Sequence, residues 1–360
     1  MLYNLLAPYG GDFILFNLFK FLTVRAGGAL FTAFFIVLWV GPWVIKKFRA
    51  WQNGGVTVKE ILPHQAKAST PTMGGVMILL TFVLTTLLWT DLTQPYIWVL
   101  LFVALGFGAV GFIDDVLCLL RLWKNGLPGK LRLTLQTLIA ATAVFMAVQI
   151  NNGADATSLY MPFFKNQVLD LGLWGFVAFG AFVIVGAANA VNLTDGLDGL
   201  VSIPVVIVAA SFAGLAYIIG RVDFTEYLHI AYVPGAGEIA VASAGLVGAV
   251  LGFLWFNAPP ARIFMGDTGA LFIGAFLGLV SVIVKQEFVL AIVGGIFVLE
   301  TLSVIVQVIS FKTTGKRVFK MAPLRRHFEQ LGGPESTIVV RFWIMSLLLA
   351  LIGLATLKLR

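Results

Sequence analysis

The sequence predicts an all-α, polytopic membrane protein of about ten transmembrane helices, folded as one domain over residues 1–360. Three observations carry this. First, 59% of residues are hydrophobic and 11% charged, where a soluble domain carries about 25% charged residues. A large soluble core would still need a polar skin, so length does not explain the deficit. Second, apolar stretches close to the ~20 residues that cross a bilayer recur from end to end. Third, Lys and Arg alternate in density between successive loops.

Taken in order, the expected spans are 27–45, 74–89, 96–113, 131–150, 171–191, 200–219, 239–256, 269–284, 288–310 and 338–357. Several are short and rich in glycine, which predicts close helix packing. No repeat of 20–50 residues, low-complexity tract or soluble domain interrupts them. Near the N-terminus Asp12 breaks the apolar run and no basic segment precedes it, so a cleavable secretion signal is not expected. The loops after the first and ninth spans hold 5 and 6 basic residues, whereas the loops after the four even-numbered spans hold 3 together. The positive-inside rule then places the odd loops in the cytoplasm and both termini on the periplasmic side.

The single cysteine, Cys118, excludes an internal disulfide and a metal–thiolate cluster. The net charge of +7 fits cytoplasmic loops facing anionic membrane lipids, and no nucleic-acid partner is expected.

The unusual polar residues fall at one end of this topology. Asp114, Asp115, Asp195, Asp198 and Asp267 lie in odd loops or at the helix ends beside them, as do His64, Lys67, Arg325, Arg326 and His327. Carboxylates at membrane depth are costly and point to function. Five aspartates from three loops would repel unless a cation or basic side chains compensate them. In Gly111-Phe-Ile-Asp-Asp115 the adjacent acids close the third span. They are either solvated helix-end charges or oxygen ligands for Mg²⁺ or handlers of a phosphate.

The segment Asn189-Ala-Val-Asn-Leu-Thr-Asp-Gly-Leu-Asp-Gly-Leu200 is more specific. If it starts a helix, Asn192, Asp195 and Asp198 share one face, and Gly196 and Gly199 let a ligand approach the backbone. In Phe264-Met-Gly-Asp-Thr-Gly269, Asp267 is an ordinary helix cap or, with the other loops, a candidate metal ligand at a helix N-terminus suited to phosphate oxygens. Lys67 meets an anion or sits at the headgroup level. Arg325 and Arg326 suit bidentate phosphate contacts or supply plain positive-inside charge. Glu300, near the middle of the ninth span, is expected in a buried hydrogen bond between helices.

These motifs together resemble the MraY family of phospho-N-acetylmuramoyl-pentapeptide transferases, within the polyprenyl-phosphate N-acetylhexosamine-1-phosphate transferase superfamily. The resemblance runs through Thr70-Pro-Thr-Met-Gly-Gly75, Gly111–Asp115, Asn189–Leu200, Phe253-Leu-Trp-Phe-Asn257, Phe264–Asp267, Glu300-Thr-Leu-Ser303, Met321-Ala-Pro323 and Arg341-Phe-Trp343, in order and over almost the whole chain. It implies ten helices, a bacterial inner-membrane location and a homodimer. It also implies Mg²⁺-dependent transfer of phospho-MurNAc-pentapeptide from UDP-MurNAc-pentapeptide to undecaprenyl phosphate, giving lipid I and UMP.

By the same resemblance Asp267 binds the metal, and Asp114, with Asp115 beside it, positions or deprotonates the lipid phosphate. Asn192, Asp195, Asp198, Lys67 and Phe264 form the nucleoside and phosphate pocket, Phe264 by stacking on uracil. Arg325, Arg326 and His327 stand where the family has three histidines; Cys118 and Asn125 stand where it has lysines, and Arg132 replaces another lysine with charge kept. Three other readings are open: a transferase for another UDP-sugar, a weakened or non-catalytic relative, which these departures motivate, and a secondary transporter. The transporter reading is disfavoured by the one-sided placement of the aspartates.

Overall fold

The computed structural model describes residues 1–6, 8–9, 14–54, 70–120, 126–151, 153, 155–162 and 168–358. Lys67, His64 and Asn125 lie outside the described residues. The described chain is helical almost throughout. Its principal helices are α1 (Leu22–Gly54), α2 (Gly74–Trp89), α3 (Pro95–Leu119), α4 (Gly129–Asn151), α5 (Gly172–Thr194), α6 (Ser202–Ile219), α7 (Ala236–Asn257), α8 (Gly266–Ile283), α9 (Glu287–Val293), α10 (Gly295–Thr314), α11 (Leu324–Gln330) and α12 (Glu335–Ala355). Nine of them are long and apolar enough to cross a membrane, and α2, 16 residues long, is a shorter apolar helix. All ten expected spans therefore have a helix.

Three differences from the sequence reading have physical causes. The ninth span is broken: Gly294 ends α9 and begins α10, because two adjacent glycines weaken helix continuation. The Asn189–Leu200 segment does not start a helix; it ends α5 at Thr194, and Asp195 takes extended backbone. Between α4 and α5 a two-stranded antiparallel hairpin forms, β1 (Ser158–Tyr160) with β2 (Val168–Asp170), in the register Ser158↔Asp170.

At the centre stand α7 and α8, with 83% and 89% of their spans buried. α7 packs on α1 and α6, and α8 on α5 and α3. Small residues let these backbones meet. A Cβ on Gly111 of α3 would lie 2.5 Å from the Asp267 carbonyl, and one on Gly75 of α2 would lie 2.1 Å from the Gly269 nitrogen. The start of α8 is thereby wedged between α2 and α3, which brings three acidic segments to one end of the bundle.

Candidate active site

Adjacent residues on a helix point about 100° apart, so Asp114 and Asp115 serve different neighbours. Asp115 faces α8. Its carboxylate accepts the Asp267 N–H (3.1 Å), the Thr268 N–H (2.9 Å) and the Thr268 hydroxyl (2.6 Å). The helix makes no side-chain cap of its own, so Asp115 supplies the acceptors that its first N–H groups need. Asp267 is thus not the cap but the capped residue. The backbone before α8 is fixed on its other side. Phe264 donates its N–H to the Pro71 carbonyl and accepts from Gly74, while Met265 accepts from Gly75, each at 2.8 Å. The Thr70–Gly75 motif is accordingly the seat for Phe264, whose side chain is half-buried.

Asp114 faces α4. Its Oδ1 accepts the Leu127 N–H at 2.5 Å, and its Oδ2 accepts Nη1 of Arg132 at 2.9 Å. The same Nη1 donates to Oδ2 of Asp267 at 2.7 Å. One arginine nitrogen therefore ties the ends of α3 and α8. The turn before α4 needs glycine at 126, with φ of +68°, because a Cβ there would strike the Asp114 carboxylate. The shortfall of positive charge expected from Cys118 is met by Arg132, which pairs with Asp114 and Asp267, and by the α8 N-terminus, which meets Asp115. Cys118 itself is exposed.

The third acidic segment lies against the first two. Burial pushes the Asp195 carboxyl up to about 6, against the opposing pull of the Arg325 guanidinium and the Gly266 N–H, and Asp115 adds to the rise. Asp198 accepts the Ala261 N–H at 3.0 Å. Asn257 holds this loop: its Oδ1 accepts the Gly199 N–H at 3.0 Å and its Nδ2 donates to the Ile263 carbonyl at 2.9 Å. Asn192 lies half-buried in the last turn of α5.

The basic segment contributes unevenly. Arg325 is buried, and its guanidinium donates to the Leu193 and Asp195 carbonyls, the latter at 3.4 Å. Arg326 is exposed. His327 accepts the Lys320 N–H on Nδ1 at 3.2 Å. The helix α11 is capped from α10, where Glu300 Oε1 accepts the Arg325 N–H (3.0 Å) and Ser303 Oγ accepts the Leu324 N–H (3.1 Å). Glu300 is fully buried, so its expected role in a hydrogen bond between segments is what the structure contains.

Two residues with a part in this geometry escaped the sequence reading as site residues. Arg132 was noticed there only as a departure, and Asn257 only as part of a motif. A basic residue at the second position of an expected span, opposite an acidic pair, is the signal that could have singled out Arg132.

The donor set suits a hard cation. All candidate ligands are carboxylate oxygens, and Asp267 is 29% exposed where Asp114 is 9%, so Asp267 is the open one. No group of three or more His, Cys, Asp or Glu side chains could hold a metal among the described residues. A single open carboxylate is the kind of ligand that Mg²⁺ takes together with substrate phosphates.

Comparison with known proteins gives the same picture. Residues 97–285 match the family described as Glycosyl transferase family 4. Residues 67–79 match phospho-N-acetylmuramoyl-pentapeptide-transferase signature 1. The chain is 53% identical over 346 residues to the phospho-N-acetylmuramoyl-pentapeptide-transferase of Rhodopseudomonas palustris (strain BisA53), covering 96% of each protein. With such a match along nearly its whole length, and with the family's acidic segments joined at one end of a membrane bundle, the chain belongs to the phospho-N-acetylmuramoyl-pentapeptide transferase family.

Proposed function

We propose that this protein transfers phospho-MurNAc-pentapeptide from UDP-MurNAc-pentapeptide to undecaprenyl phosphate, producing lipid I and UMP on the cytoplasmic side of the bacterial inner membrane. The observation that carries the reading is the joining of Asp114 and Asp267 through one nitrogen of Arg132, with Asp115 capping the helix that bears Asp267.

An oxygen of the lipid phosphate attacks the phosphorus bonded to the sugar. The bond from that phosphorus to the bridging oxygen breaks, and UMP leaves with the electron pair. Both reactants are anionic, so their approach requires positive charge at the meeting point. Asp267 would hold a Mg²⁺ ion, whose charge would offset that of the phosphates and of the departing UMP. Arg132 holds Asp267 and Asp114 in register for that task.

A phosphate monoester has a second pKa of about 6, so the lipid nucleophile is mostly dianionic at neutral pH and has little need of a base. Asp114 is poorly placed to act as one, because one oxygen accepts the Leu127 N–H and the other the Arg132 guanidinium. Its role here is to orient. Phe264, Asn192, Asp195 and Asp198 line the nucleoside side, with Phe264 stacking on uracil, while Lys67, Arg326 and Nε2 of His327 meet phosphate or peptide groups.

The test is UMP release from UDP-MurNAc-pentapeptide and undecaprenyl phosphate by the protein in nanodiscs, with and without Mg²⁺. Release that needs Mg²⁺ and is lost in Asp267→Asn is expected. Lipid-linked product from UDP-GlcNAc but none from UDP-MurNAc-pentapeptide would replace this reading with that of a sister transferase.

A further inference from the structure

We infer that Arg325 is a positioning residue, which fixes the 192–198 loop by capping the C-terminus of α5 from across the site, and that Gly196 is its steric counterpart. The inference rests on the proposed transferase reading for its functional meaning, and on geometry for the rest.

The end of a helix leaves carbonyls without intrahelical donors. At the end of α5 the chain turns away at Asp195, and the Leu193 and Asp195 carbonyls receive the two terminal nitrogens of Arg325. A cation is favoured there because the C-terminal end of a helix carries partial negative charge. The start of α11, from which the side chain extends, is anchored from behind, since the Arg325 backbone N–H is held by Glu300, itself fully buried.

The volume it fills is the place of a side chain on residue 196. A Cβ built on Gly196 would lie 2.4 Å from Nη2 and 2.8 Å from Cζ of Arg325. Gly196 has no left-handed backbone, so what a side chain there would disturb is the seat of the guanidinium and not the backbone conformation. An Arg325 that turned toward a substrate phosphate would leave two part-buried carbonyls without this donor. A histidine at this position would be shorter and would carry fewer N–H groups, so it could not span both carbonyls. Arg325 thus joins the 192–198 loop to α11.

The experiment is a double-variant cycle of Gly196→Ala, Arg325→His and the two combined, in nanodiscs, read by thermal unfolding and by UMP-release kinetics. Gly196→Ala alone should lower kcat by about 10-fold or more, because its methyl group displaces the guanidinium. Arg325→His alone should lower kcat by about 3- to 10-fold, with KM for the UDP-sugar within about 2-fold. The combined variant should fall no lower than about 3-fold below Arg325→His, because the methyl group then has space. Melting temperatures should show the same lack of additivity.

Additive losses would overturn the inference, as would an Arg325→His variant whose KM for the UDP-sugar rises about 10-fold at unchanged kcat, the mark of a ligand-binding residue. If Gly196→Ala gives no folded protein, recovery of folded protein in the combined variant is the supporting result and failure of both is the refuting one. If the wild-type protein releases no UMP, the transferase reading fails, and the melting cycle still decides the bridge.

Discussion

Replacing Arg132 separates charge compensation from catalysis. In Arg132→Met the stem is kept, but the nitrogen that joins Asp114 and Asp267 is gone. A hydrogen bond to a charged group contributes about 1.5–3 kcal/mol, and breaking a fully buried ion pair costs about 3–5 kcal/mol. Arg132 and Asp267 are 26% and 29% exposed, so solvent screens part of the loss and the lower range applies. A loss of about 2 kcal/mol, felt wholly in the transition state, is about 30-fold in kcat.

Arg132→Lys should behave differently. Both acceptors are served by Nη1 alone, at 2.9 and 2.7 Å, so a single ammonium can stand in its place and the fork of the guanidinium is not needed. Turnover within about 5-fold of wild type is expected for lysine, a loss below 1 kcal/mol. Raising Mg²⁺ should recover part of the methionine variant's loss, because a second cation can compensate the same carboxylates. UMP-release kinetics on protein shown by size exclusion to be folded would measure both. Equal activity of Arg132→Met and wild type, or a lysine variant as poor as methionine, would refute the reasoning.

Other perturbations reach other parts of the site. Asp115→Ala removes three acceptor contacts at the start of α8 and should lower thermal stability by about 2–4 kcal/mol; Asp115→Asn keeps an acceptor and should lose less, by differential scanning in nanodiscs. Asp195, raised to about 6, takes up a proton as pH falls through that value, so kcat/KM should decline on the acid side near pH 6. Because the Arg325 cation opposes the rise, Arg325→Met should move that limb to higher pH, and an unmoved limb would assign it to another group. Lys285, buried over the Phe176 ring, has its value lowered by burial to about 8 from an ordinary 10.5. The unfolded chain binds the proton more tightly, so stability should rise between about pH 8 and 10.5, and Lys285→Met should flatten that rise in melting curves.

Much of this was legible before any coordinates. Apolar length found all ten spans, because in a bilayer the backbone must satisfy itself and helices are the simple solution. The motif order brought Asp114, Asp115 and Asp267 forward, and the structure joins them. What the sequence hid was direction. Asp114 and Asp115 are neighbours in the chain but meet different helices, a consequence of helical pitch that a two-letter motif does not display. Arg325 reads in sequence as a phosphate clamp or as plain positive-inside charge; in the structure its guanidinium meets carbonyls, which every residue has and no motif marks. The end of α5 at Thr194 was hidden for a related reason: the turn depends on Asn257 and Arg325, both far away in sequence.

These contacts share one cause. At the site end of the bundle, α8 is capped by Asp115 from α3, α11 by Glu300 and Ser303 from α10, and α5 by Arg325 from α11, while the carbonyls of Phe264 and Met265 receive the first N–H groups of α2. Helix ends near a membrane have few waters to turn to, and an unsatisfied peptide group costs several kcal/mol there. Capping each end from another helix removes that cost and at the same moment locks the helices together in one arrangement. Activity lost on substituting Asp115, Ser303 or Glu300 therefore does not by itself place the residue on the substrate. The distinguishing sign is stability: a cap lowers melting temperature along with kcat. Asp267, which caps no helix end but is tied to Arg132, should on conversion to asparagine lose far more turnover than its fall in melting temperature accounts for.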